Sequence, residues 1–201
     1  MVAAAQAVKE LRDRTGAGVM DCKAALEAVR GDVPAAVEYL RKKGLADAAK
    51  RAHREAREGI VGAYIHPGAK LGVLVEVGCE TDFVARTDSF QELAKDLGMQ
   101  VAAASPIWVA REDVPEAVVG KEREIYRGQM ADQGKPPHVL EKIIEGKLEK
   151  FYGEQCLLEQ PYIRDASGKT KVKDVVDGVS ATTGERVVVK RFARFQIGEG
   201  G

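Results

Sequence analysis

The chain has 201 residues, 45% of them hydrophobic and 31% charged, which fits a folded protein of one or two domains and excludes an extended or disordered one. Its 31 basic residues balance 31 acidic ones, so the overall charge argues against a general nucleic-acid or membrane-surface binder. The N-terminus has no apolar core ahead of a cleavage site, no eighteen apolar residues run together, and Cys22, Cys79 and Cys156 are widely separated, so a soluble, unexported, cytoplasmic protein with reduced thiols filling its core is expected.

Ala5, Val8 and Leu11 recur at helical spacing and predict a first helix over 2–14, which Gly16 and Gly18 break. A second helix fits 21–30 and stops at Gly31. Asp32 is the expected N-cap of a third, with Pro34 in its first turn, Val37 and Leu40 turned inward, and an end at Gly44. Residues 1–45 therefore read as a compact three-helix module. Residues 46–58, rich in Ala, Lys, Arg and Glu without an apolar stripe, read as a solvated helical connector.

Beyond it, 60–65 and 71–77 have the character of a β-hairpin joined through His66-Pro67-Gly68-Ala69-Lys70. The second strand is rich in β-branched residues and runs into Cys79-Glu80-Thr81-Asp82-Phe83-Val84, which sets an acidic and a large apolar residue side by side where a buried strand ends. Ser89-Phe90-Gln91-Glu92 has the spacing of a capping box and opens a helix through Ala104. Asp82-Phe83 then belongs to a strand-to-helix connection or the first turn after it, where a rigid scaffold commonly presents binding residues. Helical patterns follow over 115–131 and 139–151. A last strand is expected over 186–197, through Val187-Val188-Val189, Phe192, Arg194 and Ile197. The predicted class is α+β: the three-helix module, then a core over 59–201 with an antiparallel sheet flanked by helices.

The stretch 79–84, Thr15-Gly16-Ala17-Gly18-Val19-Met20-Asp21-Cys22-Lys23, Gly134-Lys135-Pro136-Pro137, Ile144-Glu145-Gly146-Lys147-Leu148-Glu149-Lys150-Phe151 and the closing Arg194-Phe195-Gln196-Ile197-Gly198-Glu199 together resemble the bacterial elongation factor Ts family. These are the nucleotide exchange factors of elongation factor Tu. The resemblance covers essentially the whole chain. It implies a ubiquitin-associated-like fold for the N-terminal module, without implying ubiquitin binding. It also implies that Thr81, Asp82, Phe83 and Val84 enter the partner near its magnesium and nucleotide, dislodge the magnesium and allow GDP to be replaced by GTP, which displaces the factor. Further partner-binding residues are implied at Lys9, Arg12, Val19, Met20 and Lys23, and at His66. The chain is similar to the short form of the family, since Tyr64-Ile65-His66-Pro67-Gly68-Ala69 leads directly into the strand that ends in Thr81-Asp82-Phe83-Val84, and short-form members resemble homodimers. Pro67 departs from the family's spacing beside His66. No catalytic residue, cofactor or metal ligand, and no nucleic-acid or membrane partner, is implied.

Without the resemblance, Phe83 has a second reading as a core aromatic and Asp82 one as a helix cap, while Met20 reads first as core and His66 first as a solvated loop histidine. A binding adapter, whose three-helix module recognises a partner while the α+β domain only dimerises, is the alternative from another class. Ser167-Gly168-Lys169-Thr170 ends like a phosphate-binding loop, but Ile163 stands where the first glycine is required. Cys79 beside Glu80, with His66 nearby in sequence, imitates a thiol hydrolase without an oxyanion-hole glycine pair, and the cysteines and histidines lack zinc spacing.

Overall fold

A computed structural model of the chain describes residues 2–51, 53–130 and 136–199, with side chains throughout except at 2–4, 45, 48 and 49. In chain order the elements are α1 (Val2–Thr15), α2 (Val19–Ala28), α3 (Val33–Arg51), β1 (Glu58–Ile65), β2 (Leu71–Cys79), α4 (Asp82–Ala85), α5 (Asp88–Ala104), α6 (Glu116–Gly128), α7 (Pro137–Gln155), α8 (Val172–Thr183) and β3 (Val188–Gln196). The strands form one antiparallel sheet in the order β1-β2-β3. Residues divide into two compact units, one made of Met1–Ile60, Val77–Leu93 and Asp174–Val188, the other of Val61–Glu76, Ala94–Lys173 and Val189–Gly201.

In the first unit, α1, α2 and α3 close around Leu11, Cys22, Ala25, Leu26 and Ala36, with Val8, Val29, Val37 and Leu40 packed against that centre. The turn between α2 and α3 shows why glycine is needed at 31: its φ of 88° lets its N–H reach back to the Leu26 carbonyl at 2.8 Å, closing the helix end. Asp32 caps α3 as its side chain predicts, accepting from the Ala35 N–H at 2.9 Å.

Several expected boundaries are corrected. The second helix starts at Val19 rather than Asp21, so Val19 and Met20 lie in its first turn. The third does not end at Gly44 but continues to Arg51, taking up the first part of the predicted connector. Gly44 is a point of close approach, since a Cβ there would stand 3.2 Å from the Ala181 side chain on α8. Ser89 does not cap α5. Gln91 N–H already donates to the Thr87 carbonyl at 3.0 Å, which places Ser89 inside the first turn.

α8 is absent from the elements the sequence predicts, although Val172, Val175, Val176 and Val179 hold the i, i+3, i+4, i+7 spacing of an apolar helix face. Their β-branching and Gly178 make the stretch a poor helix former in isolation, and tertiary burial of Val172 and Val176 overrides that preference.

In the second unit, α6 and α7 pair along a seam of Met130, Ile144 and Leu148, with Tyr126, Leu140 and Tyr152 against it. The sixth helix ends at Gly128, short of the expected end at 131. Residue 131, and Gly134 and Lys135 of the Gly-Lys-Pro-Pro stretch, lie outside the described residues. The seventh runs from Pro137 to Gln155, longer at both ends than expected. α5 packs on β1 by close approach: Cβ atoms on Gly62 and Gly98 would stand 3.1 Å from Ala94 and 3.0 Å from Tyr64. No helix among the described residues is long and apolar enough to cross a membrane.

Candidate functional site

β2 turns Val73, Val75, Val77 and Cys79 inward and ends at Cys79. Thr81 has extended backbone, its hydroxyl faces the Val84 N–H at 3.5 Å, and the four-residue α4 begins at Asp82. Val84 and Ala85 are buried, which anchors the inner side of the turn. Phe83 sits on the other side and is 80% exposed. A phenyl ring of that exposure contributes little to the core, so the reading of Phe83 as a core aromatic is set aside. Asp82 is half-buried and pairs with Arg86, one turn on, at 2.7 Å.

The turn is held from both sides by polar groups. After it, Thr87 donates its hydroxyl to the Val84 carbonyl at 2.8 Å and the Gln91 amide donates to the Ala85 carbonyl at 2.7 Å. Before it, the Glu185 carboxylate accepts from the N–H groups of Glu80 and Thr81, each at 3.0 Å, and from the Thr81 hydroxyl at 2.6 Å. Glu80 returns the exchange by accepting from the Arg186 N–H at 2.6 Å, with Arg54 at 3.3 Å. The Arg186 N–H, assisted by Arg54, holds the Glu80 carboxyl below its ordinary range. Sequence reasoning missed Glu185. It stands 104 residues from Thr81 with no motif around it, and only pairing at the end of β2 brings the two together.

The N-terminal residues converge in part. A groove of about 590 Å³ on the three-helix module is lined by Ala5, Val8 and Val19 and by the charged Lys9, Arg12, Asp13 and Lys23. Four of the five residues expected there, Lys9, Arg12, Val19 and Lys23, line it together. Met20 does not line the groove but stands on the same first turn of α2, 75% exposed, so it is not core. His66 lies in the β1-β2 turn of the second unit, exposed, with its Nδ1 2.9 Å from the Tyr64 hydroxyl.

The alternative chemistries lose support on local grounds. In the 165–170 loop the Asp165 carboxylate accepts from the N–H groups of Ser167, Lys169 and Thr170, the donors a bound phosphate requires. Ser167 and Thr170 hold that carboxyl well below the usual range, so it stays charged in their place. Cys79 and Cys156 are fully buried, and burial pushes both thiols up, Cys156 to about 11, away from the thiolate a nucleophile needs.

A family model described as Elongation factor TS matches residues 39–199. Among curated relatives, Elongation factor Ts of Moorella thermoacetica is 59% identical over 200 residues, covering 100% of this chain and 97% of the relative. Those of Thermosipho melanesiensis and Fervidobacterium nodosum are 57% and 56% identical, covering 97% and 99% of this chain and 98% and 100% of their own lengths. With its α+β fold and near end-to-end similarity, the chain belongs to the elongation factor Ts family of translation elongation factors.

Proposed function

We propose that the chain promotes exchange of GDP for GTP on elongation factor Tu, in the cytoplasm and without covalent chemistry. The observation that carries this reading is Phe83, an apolar ring 80% exposed at the tip of a turn tied down on both sides. In the exchange complex the Thr81-Asp82-Phe83-Val84 turn enters the partner near its magnesium and nucleotide. Phe83 buries its ring, and Asp82, released from Arg86, competes for the groups that order the magnesium, which is dislodged. Incoming GTP then displaces the factor unchanged.

Burying one Phe is worth about 1.5–3 kcal/mol, whereas a thousandfold faster release needs about 4 kcal/mol off the barrier. The α1/α2 groove supplies the rest, Lys9, Arg12, Val19 and Lys23 gripping the partner with Met20 beside them. His66 is a further contact. Because coupling between the two ligands of elongation factor Tu is reciprocal, tight binding to the empty partner is part of the mechanism. Residues 1–45 and the 81–84 turn serve partner binding, 46–58 connect as the end of α3 and the stretch after it, and 59–201 carry the dimerisation face.

The factor acts as a homodimer, and one face of the sheet supports this. Pairing of Glu76 with Arg191 at 2.7 Å, and of the Ile197 N–H with the Lys70 carbonyl at 2.8 Å, puts Leu74, Ala193 and Phe195 on one face, and Ile65 joins them across Gly72. Val61, Ile65, Leu74 and Phe195 are all exposed there beside the Glu76–Arg191 pair, a larger apolar surface than a solvated outer face usually carries. No nucleic-acid or membrane partner enters this reading.

The test is release of a fluorescent GDP from elongation factor Tu by substoichiometric factor, comparing wild type with the Asp82→Ala, Phe83→Ala double variant. Multiple-turnover acceleration by the wild type that falls at least about a hundredfold in the variant is expected. The variant's melting temperature should stay close to that of the wild type, because the lost ring is exposed. Stoichiometric binding without acceleration would overturn the exchange reading in favour of an adapter.

A further inference from the structure

We propose that Glu185 is a positioning residue for the exchange turn, setting the backbone that carries Phe83; this rests on the exchange reading above. Phe83 is too exposed for packing to place it, so its direction is inherited from the backbone of 80–84. On the N-terminal side the Cys79 thiol donates to the Thr81 carbonyl at 3.1 Å, and the N–H groups are held by one carboxylate. Oε2 of Glu185 takes the N–H groups of Glu80 and Thr81, and Oε1 takes the Thr81 hydroxyl proton.

The last bond has a directional consequence. A threonine hydroxyl has one proton, and spending it on Glu185 leaves only lone pairs to face the Val84 N–H, which is what an N-cap requires. A hydroxyl free to rotate would lose that bias. Glu185 therefore fixes both the end of β2 and the start of α4, through the residue the two share.

Glu185 is itself held. Its carbonyl accepts from the Ser180 hydroxyl at 2.6 Å, with Ser180 buried in the last turns of α8, and its neighbour Arg186 donates its N–H to Glu80. The segments flanking the strands, at 80 and 186, are thus joined by two glutamates exchanging backbone donors. A carboxylate suits this place because all its lone pairs accept. Glutamine would turn an NH₂ toward groups that are themselves donors, and aspartate would fall a methylene short.

The experiment uses the full chain with Glu185→Gln and Glu185→Ala, each also in a Thr81→Val background. In the free factor, amide hydrogen exchange at Glu80, Thr81 and Val84 should rise about tenfold or more in Glu185→Gln, while amides in the Leu11-Cys22 core stay as in the wild type. In the release assay, the maximal rate at saturating factor should fall about tenfold, and the factor concentration giving half that rate should move less than about threefold, because the groove is untouched. Adding Glu185→Gln to Thr81→Val should cost less than it does alone, because the hydroxyl bond is already gone while the two backbone N–H bonds remain to be lost. Unchanged protection at 80, 81 and 84, an unchanged maximal rate, or full additivity with Thr81→Val overturns the assignment. Should the wild type fail to accelerate release, the exchange reading falls by itself, and the amide measurement still decides whether Glu185 orders the turn.

Discussion

The two features of the first unit proposed to bind the partner are built by different means. The α1/α2 groove rests on an apolar centre of Leu11, Cys22, Ala25 and Leu26, so its shape follows from helix packing and its rim residues are free to vary without moving it. The α4 turn, seated on Val84 and Ala85, owes the rest of its shape to hydrogen bonds accepted by Glu185 and donated by Thr87 and Gln91, and its most exposed apolar residue, Phe83, is almost wholly solvated. Packing tolerates small changes by local relaxation, whereas a polar clamp depends on donor and acceptor chemistry. Groove substitutions should therefore alter affinity, and turn substitutions should alter rate.

Leu11→Ala attacks the groove's support and should have the largest effect on stability. Leu11 is completely buried, and the change should cost about 2–5 kcal/mol in urea unfolding and weaken partner binding, with the α4 turn unchanged. A loss below about 1 kcal/mol would mean the groove does not rest on that core. Next comes the sheet face: Phe195→Asp should turn a dimer into a monomer in sedimentation at micromolar concentration and cut exchange activity with Phe83 in place. Full activity in a proven monomer would separate dimerisation from function.

The contrast between packing and polar clamping recurs in the second unit, beside the Met130-Ile144-Leu148 seam. Glu159, largely buried, bonds Arg111 at 3.1 Å and Lys171 at 2.6 Å, and Arg111 also grips Glu149 and lies over the Tyr152 ring. Hydrogen bonding from Arg111 first, and then from Lys171, holds the Glu159 carboxyl at about 2 against the opposing effect of burial. Its folded value lies below its unfolded one, so its stabilisation is complete above about pH 4.5 and is lost as pH falls toward 2. Glu159→Gln should cost about 1–3 kcal/mol at neutral pH and flatten the acid dependence of unfolding across that window. An acid profile identical to the wild type would show that the clamp adds nothing there. The smallest expected effect is Met20→Ala. Exposed as Met20 is, stability should change by less than about 0.5 kcal/mol while partner affinity drops several-fold by calorimetry.

Local chemistry carried some parts of this molecule into view from the sequence and hid others. Asp32 caps α3, the hairpin turns at 66–70, and Asp82-Phe83 falls just past a buried strand, because each depends on residues within a few positions. Gly44 misled because glycine at a helix stop and glycine at a helix crossing look alike until α8 is seen against it. Ser89 misled because a capping spacing one turn late is indistinguishable from one in register. Four groove residues were found through motif resemblance, and their convergence needed the packing of α1 on α2.

By itself the sequence determined the α+β class, the family, and the exposed or buried tendency of individual stretches, since periodicity, caps and turn residues act over three or four positions. Tertiary structure alone decided that Glu185 reaches Thr81 across 104 residues, that α3 continues past Gly44, and that Val61, Leu74 and Phe195 share one bare face. The physical reason is the same in each case. Strand register and helix crossing bring together residues whose separation along the chain leaves no local pattern to read.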